Sequence, residues 1–179
     1  MDAIKTVFVS GYRSFELNVF QENDPKVGVI KKVLKSGILN FVEEGAEWFL
    51  IAGNLGIELW AGEVVSELKE EYDVKLGVLY PFQGFGENWN EKNKQLLEKV
   101  EAHADYVDFV SRQPYQSPAQ LKAHTGFILA HTQASLLIYD KEYPGKTQFF
   151  QRDAQGYSES NSYEIRAITM DDLQNFAQE

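Results

Sequence analysis

Six short apolar runs recur along this chain, at residues 4–9, 48–52, 74–80, 106–110, 135–139 and 163–168, and a segment with helical spacing or helix-boundary residues follows each. Val7-Phe8-Val9 and Trp48-Phe49-Leu50-Ile51-Ala52 show no polar alternation, as in strands covered on both faces. Strand and helix in turn, about six times over, restrict the chain to an α/β architecture: a doubly wound, mostly parallel sheet with helices on both faces. No linker, repeat or composition shift divides the 179 residues, so one domain over 1–179 is expected.

Capping residues mark the helix boundaries. Asp24 reads as an N-cap with Pro25 in the first helical position, and Ile30, Leu34, Ile38 and Phe41 follow at helical spacing to a stop near Glu44-Gly45. A second helix starts at Ile57, with Ile57, Trp60, Ala61, Val64 and Leu68 on one face and Glu63, Glu67 and Glu70 outside. Asn88, with Glu91 three residues on, reads as the capping box of a third. Ser117-Pro118-Ala119-Gln120 opens a fourth that carries Leu121, Ile128 and His131. A short helical stretch is expected from about Thr147, and the polar, Ser-rich segment 155–162 reads as a loop or hairpin tip. Thr169 with Asp172 caps a last helix, on which Leu173 and Phe176 are expected to be buried.

Charge and composition exclude several function classes. Lys and Arg number 17 against 27 Asp and Glu, a formal net charge of −10. Nucleic acids and anionic membranes need a basic face, so neither is an expected partner, whereas one small anion held by backbone N–H groups remains compatible. The absence of cysteine removes disulfides, thiolate metal sites, Fe–S clusters and a Cys nucleophile. Residues 1–6 have no basic segment leading into an apolar one, and no apolar run approaches the about 20 residues of a membrane helix. A soluble cytoplasmic protein without membrane insertion is expected.

In a doubly wound sheet, ligands bind outside the carboxyl ends of the strands, which directs attention to the loops there. Gly53-Asn54-Leu55-Gly56-Ile57-Glu58 joins a strand to a helix. Its glycines would let a ligand approach the backbone, and the helix N-terminus offers N–H groups and partial positive charge, which suits a phosphate; a tight turn without a ligand is the plain alternative. Glu58 either complements the helix dipole or serves a ribose hydroxyl or a proton transfer. In Ser10-Gly11-Tyr12-Arg13, the guanidinium of Arg13 either clamps a phosphate or carboxylate or is simply solvated; Phe15 and Glu16 would pack over or hydrogen-bond a ligand, with a place in the core as the alternative for Phe15. Tyr12, Phe15, Tyr80, Phe82, Phe85 and Tyr115 stand near strand ends, where they either line a base-binding cleft or cover loops.

Other chemistries fail on spacing. Gly145-Lys146-Thr147 ends like a P-loop, but Asp140 stands where the first glycine belongs and Pro144 has no N–H to offer. His103, His124 and His131 form no HExxH pattern and read as structural, and no GxSxG elbow is present.

The segments 10–13, 15–16 and 53–61, with Tyr80-Pro81-Phe82, Asn88-Trp89, Arg112-Gln113-Pro114-Tyr115, Ser117-Pro118, Tyr139-Asp140 and Ile168-Thr169-Met170-Asp171-Asp172-Leu173, resemble the YpsA-like family of small bacterial proteins over nearly the whole chain. The resemblance implies a Rossmann-like fold, in a superfamily that also holds the DNA-processing protein DprA and the LOG phosphoribohydrolases and whose members bind nucleotides or nucleotide-derived ligands. It also implies a role in cell division. The superfamily pattern carries over onto Gly11 and Arg13 after the first strand and onto Gly53, Gly56 and Glu58 after the second, whereas the PGGxGT loop of the LOG enzymes is absent.

These readings converge on a binder of a nucleotide-derived small molecule with a regulatory role, acting on cell division through a protein partner. Its expected ligand-binding residues are Gly11, Tyr12, Arg13, Gly53, Asn54, Gly56 and Glu58. The rival reading is hydrolysis of a nucleotide N-glycosidic bond with Glu58 as acid/base, and a third is a scaffold with a vestigial cleft. The sequence leaves open the ligand, the partner and the oligomeric state, and it points to no metal.

Overall fold

A computed structural model describes residues 3–178. Strands β1 (Thr6–Gly11), β2 (Trp48–Ile51), β3 (Lys75–Tyr80), β4 (Tyr106–Phe109), β5 (Ala134–Ile138) and β6 (Glu164–Ile168) form one sheet in the order β4-β3-β2-β1-β5-β6. Every neighbouring pair is parallel: Val7 lies opposite Phe49 on one side and Ala134 on the other. The chain fills one half of the sheet outward from β1, then crosses over to β5, so the order reverses at β1 as in a Rossmann-like, doubly wound fold.

Helices α1 (Pro25–Glu43), α2 (Ile57–Leu68), α3 (Glu91–Glu101), α4 (Pro118–His131), α5 (Thr147–Ser158) and α6 (Met170–Ala177) make the crossovers and the C-terminal end, and a 3-10 turn spans Ser14–Leu17. Strand pleating sorts the core into two layers. Val7, Val9, Phe49, Ile51, Leu76 and Val78 face α1, α2 and α3, with α6 packed beside α1. Phe8, Ala52 and Leu79 point the other way, onto Ile128 of α4 and Phe150 of α5. The second layer is thinner: Ile128 is buried, but Leu121 and Phe127 on the same helix are exposed, as is His131.

Local hydrogen bonding explains why most helix starts are legible. Asp24 accepts from Lys26 N, and Ser117 with Gln120 and Thr169 with Asp172 form reciprocal capping boxes. Four expectations need correction. The cap of α3 is Asn90, whose side chain accepts from Asn93 N, and not Asn88. The polar segment 155–162 is helical as far as Ser158, where it continues α5, and only residues 159–162 form the expected loop. Leu173 and Phe176 are only half-buried, since α6 lies at the periphery of its layer. Glu63 is half-buried and pairs with Lys31 of α1, unlike the exposed Glu67 and Glu70. Among the described residues, no helix is long and apolar enough to cross a membrane.

Candidate functional site

Because β1 and β2 are parallel neighbours, the loops leaving their carboxyl ends meet. Ile57 N, the first N–H of α2, donates to Tyr12 O at 3.1 Å. Gly56 holds φ 98° and ψ −132°, and a Cβ there would lie 2.5 Å from Ser14 N and 2.6 Å from Tyr12 O. This glycine therefore lets two protein backbones touch, in a conformation that side chains rarely adopt. Gly53, at φ 96°, is packed the same way: its Cβ would meet the Tyr80 ring at 2.7 Å. A Cβ on Gly11 would reach Ile138 O at 2.7 Å. At all three positions, the space beside the α-carbon is filled by protein.

Glu58 lies beneath this junction, 2 % exposed. Its Oε1 accepts from Ala52 N at 2.8 Å and Asn54 N at 3.1 Å; its Oε2 accepts from Ser10 Oγ at 2.7 Å and Asn54 Nδ2 at 3.1 Å. Four donors, one from the end of β1 and three from the turn between β2 and α2, thus converge on one carboxylate. His124 of α4 is buried nearby, and its Nε2–H donates to Leu79 O at 2.7 Å. Burial holds its pKa below the usual histidine value, a shift opposed by the Leu79 carbonyl and by the negative charge of Glu58.

Tyr12 closes the crevice at the reversal of strand order. Its buried hydroxyl donates to Tyr143 O at 2.7 Å and accepts from Asp140 N at 2.8 Å, which fastens the loop after β5 across the end of β1. Burial raises its pKa. Glu16 braces the same junction, accepting from Arg13 N at 2.7 Å and Lys146 N at 2.9 Å. The Lys146 N–H, one that a P-loop would aim at phosphate, is thereby occupied. Arg13 is half-buried, donates to Gly11 O at 3.2 Å and, among the described residues, has no carboxylate in salt-bridge range.

With the end of β1 covered in this way, one open space lies one strand over. A cavity of about 420 Å³ adjoins the N-terminus of α2, walled by Ser14, Leu55, Gly56 and Leu59 on one side and by Asn90, Lys92 and Asn93 on the other. Phe15 and Phe20 stand at its edge, 57 % and 66 % exposed. Of the seven expected ligand-binding residues, only Gly56 lines this cavity. Gly11, Tyr12, Gly53, Asn54 and Glu58 form the scaffold beneath it, and Arg13 immediately precedes the wall residue Ser14. Phe20, Asn90 and Asn93 escape a reading of loop motifs, because they come from segments some 70 residues apart. No group of three or more His, Asp or Glu side chains among the described residues is placed to hold a metal ion.

Comparison with known proteins agrees with this architecture. The YpsA family, described as the YspA SLOG family, matches residues 7–173. A UPF0398 protein of Enterococcus faecalis is 64% identical over 176 residues, 98% of this chain and 98% of that protein. UPF0398 proteins of Lacticaseibacillus paracasei and Listeria monocytogenes are 46% and 44% identical, covering 97% and 96% of this chain and 92% and 94% of their own lengths. With the match running from β1 into α6, this chain belongs to the YpsA family of SLOG proteins.

Proposed function

We propose that this protein binds a nucleotide or nucleotide-derived ligand in the cavity at the N-terminus of α2, and that it acts in the cytoplasm as a regulator of cell division through a protein partner. The observation that carries the reading is the cavity's position, outside the carboxyl ends of β1 and β2 and against a helix N-terminus. Its walls suit the parts of such a ligand. Phe15 and Phe20 offer aromatic surface to a base, the Asn93 amide and the Nδ2 of Asn90 suit its polar edge, and Lys92 with the first-turn N–H groups beyond Ile57 suits a phosphate.

Binding is favoured over N-glycosidic hydrolysis because the only acid/base candidate from sequence, Glu58, directs both carboxylate oxygens into the loop junction. Mass spectrometry of small molecules released from the purified protein, followed by calorimetry with a nucleotide panel, tests the proposal. Phe20→Ala and Lys92→Ala are each expected to weaken binding about tenfold without loss of fold. A protein that releases no nucleotide-like species and binds none from the panel would refute the reading, and turnover of the bound species would reinstate the hydrolase.

A further inference from the structure

Helix α4 is apolar on both sides. His124 and Ile128 pack onto the sheet, while Ala119, Ala123, Gly126, Phe127 and Ala130 are exposed on the opposite side. Lys122 is the only Lys, Arg, Asp or Glu of the helix. A helix with one side in water ordinarily turns charged and polar residues that way. The layer around it is thin, since α4 and α5 alone cover this face of a six-stranded sheet, against α1, α2, α3 and α6 on the other. Phe127 is 39 % exposed, and Phe149 on the neighbouring α5 is 54 % exposed.

We propose that this face binds a second copy of the same chain, in a two-fold dimer that packs α4 against α4. Charge singles the face out. Residues 109–139 contain no Asp or Glu, the longest such stretch in a chain that has 27 of them. Two copies of net charge −10 repel each other, and the repulsion is least where surfaces without carboxylates come together. The surface area agrees with such a pairing. The chain exposes 9743 Å², whereas a monomeric protein of 20.4 kDa exposes about 8,800 Å². The excess of roughly 900 Å² is close to the about 800 Å² that each partner buries in a stable complex. The face is also self-complementary. A two-fold axis through the middle of the outer row sets Ala123 of one copy beside Gly126 of the other, where small residues let the helix axes approach and Phe127 flanks the crossing. No wall of the cavity at the N-terminus of α2 comes from α4 or α5, so the dimer leaves that cavity open.

Sedimentation equilibrium of the full chain at physiological ionic strength tests this, with a particle of twice 20.4 kDa as the expected result. A Cβ at Gly126 would meet nothing within 4 Å in the single chain, and the same holds at Gly28, exposed on α1. Gly126→Glu and Gly28→Glu should therefore both keep the fold, which circular dichroism checks, and they change the net charge equally. Gly126→Glu puts a carboxylate from each copy at the helix crossing and is expected to weaken association about a hundredfold, whereas Gly28→Glu should leave it unchanged. Three results would overturn the proposal. The unaltered protein could stay monomeric up to about 100 µM, which would give the face to a different protein. A dimer undiminished by Gly126→Glu would place the contact elsewhere. Equal loss in both variants would mark general repulsion between acidic chains.

Discussion

Ser10 Oγ and Glu58 Oε2 are 2.7 Å apart, and this buried hydrogen bond joins the carboxyl end of β1 to the first turn of α2. The same carboxylate receives the Ala52 and Asn54 N–H groups, so β1, β2 and α2 share one anchor. A glutamate in a helix's first turn beside a glycine-rich loop looks like ligand chemistry, yet here it holds the loop in shape. Glu58 thereby fixes the turn that forms one wall of the neighbouring cavity.

Replacing it should therefore cost stability before any ligand is considered. Glu58→Gln turns one acceptor oxygen into an N–H donor facing other donors, among them Asn54 Nδ2 or Asn54 N. Leaving such buried groups unpaired costs about 1–3 kcal/mol. Urea unfolding of the ligand-free protein should show a lower midpoint with an unchanged slope. A variant as stable as the parent would contradict the anchoring role.

Two glycines should respond in opposite directions to alanine. At Gly56, the new Cβ would meet the backbone of residues 12–14 at 2.5–2.8 Å, with φ at 98°. Strain of this kind alone costs about 1–3 kcal/mol, and the overlap adds to it. At Gly28, inside α1, a Cβ would meet nothing within 4 Å. There the better helix propensity of alanine and the restricted unfolded chain should add about 0.5–1 kcal/mol of stability. Thermal melts of the two variants against the parent should bracket it.

Tyr12→Phe isolates the fastening of the loop after β5. The ring remains, while Asp140 N and Tyr143 O lose their shared partner. Because Tyr143 is exposed, water can replace part of the loss, and the stability cost should be about 1 kcal/mol. Hydrogen exchange should accelerate locally in residues 140–146, while β1 and β5 keep their protection. Uniform acceleration across the sheet would argue against a local fastening.

The features legible in the sequence are those whose causes are local. The Asp24-Pro25 start, the Ser117–Gln120 box and the Thr169–Asp172 box each close within a few residues, so composition and spacing reveal them. The start of α3 is ambiguous by two positions in the sequence, because Asn88 and Asn90 both present a polar side chain three residues before a helix-compatible one, and the structure caps the helix with Asn90. The role of Gly56 depends on the backbone of residues 12–14, and that of Glu58 on Ser10, 48 positions away. The cavity is further from view still, since Phe20 and Asn90 become neighbours only once α2 and α3 have packed.

His124 gives the fold a pH dependence whose sign follows from its burial. In the folded protein, desolvation lowers its pKa, and the ring is neutral while Nε2–H donates to Leu79 O. In the unfolded chain, the imidazole takes up a proton near its ordinary value of about 6.5. Between that value and the lower folded pKa, the unfolded state binds more protons, so unfolding becomes easier as pH falls through this window and the effect levels off below it. The carboxylates of Glu44 and Asp108 are held below their ordinary values mainly by hydrogen bonds from Arg166 and from Phe109 N respectively, so they remain ionised between about pH 5.5 and 7.5. His124→Gln keeps an N–H able to reach the Leu79 carbonyl and removes the titration. Urea midpoints at about pH 7.5 and about pH 5.5 should therefore differ for the parent and converge for the variant. Equal pH sensitivity in both would place the responsible proton elsewhere.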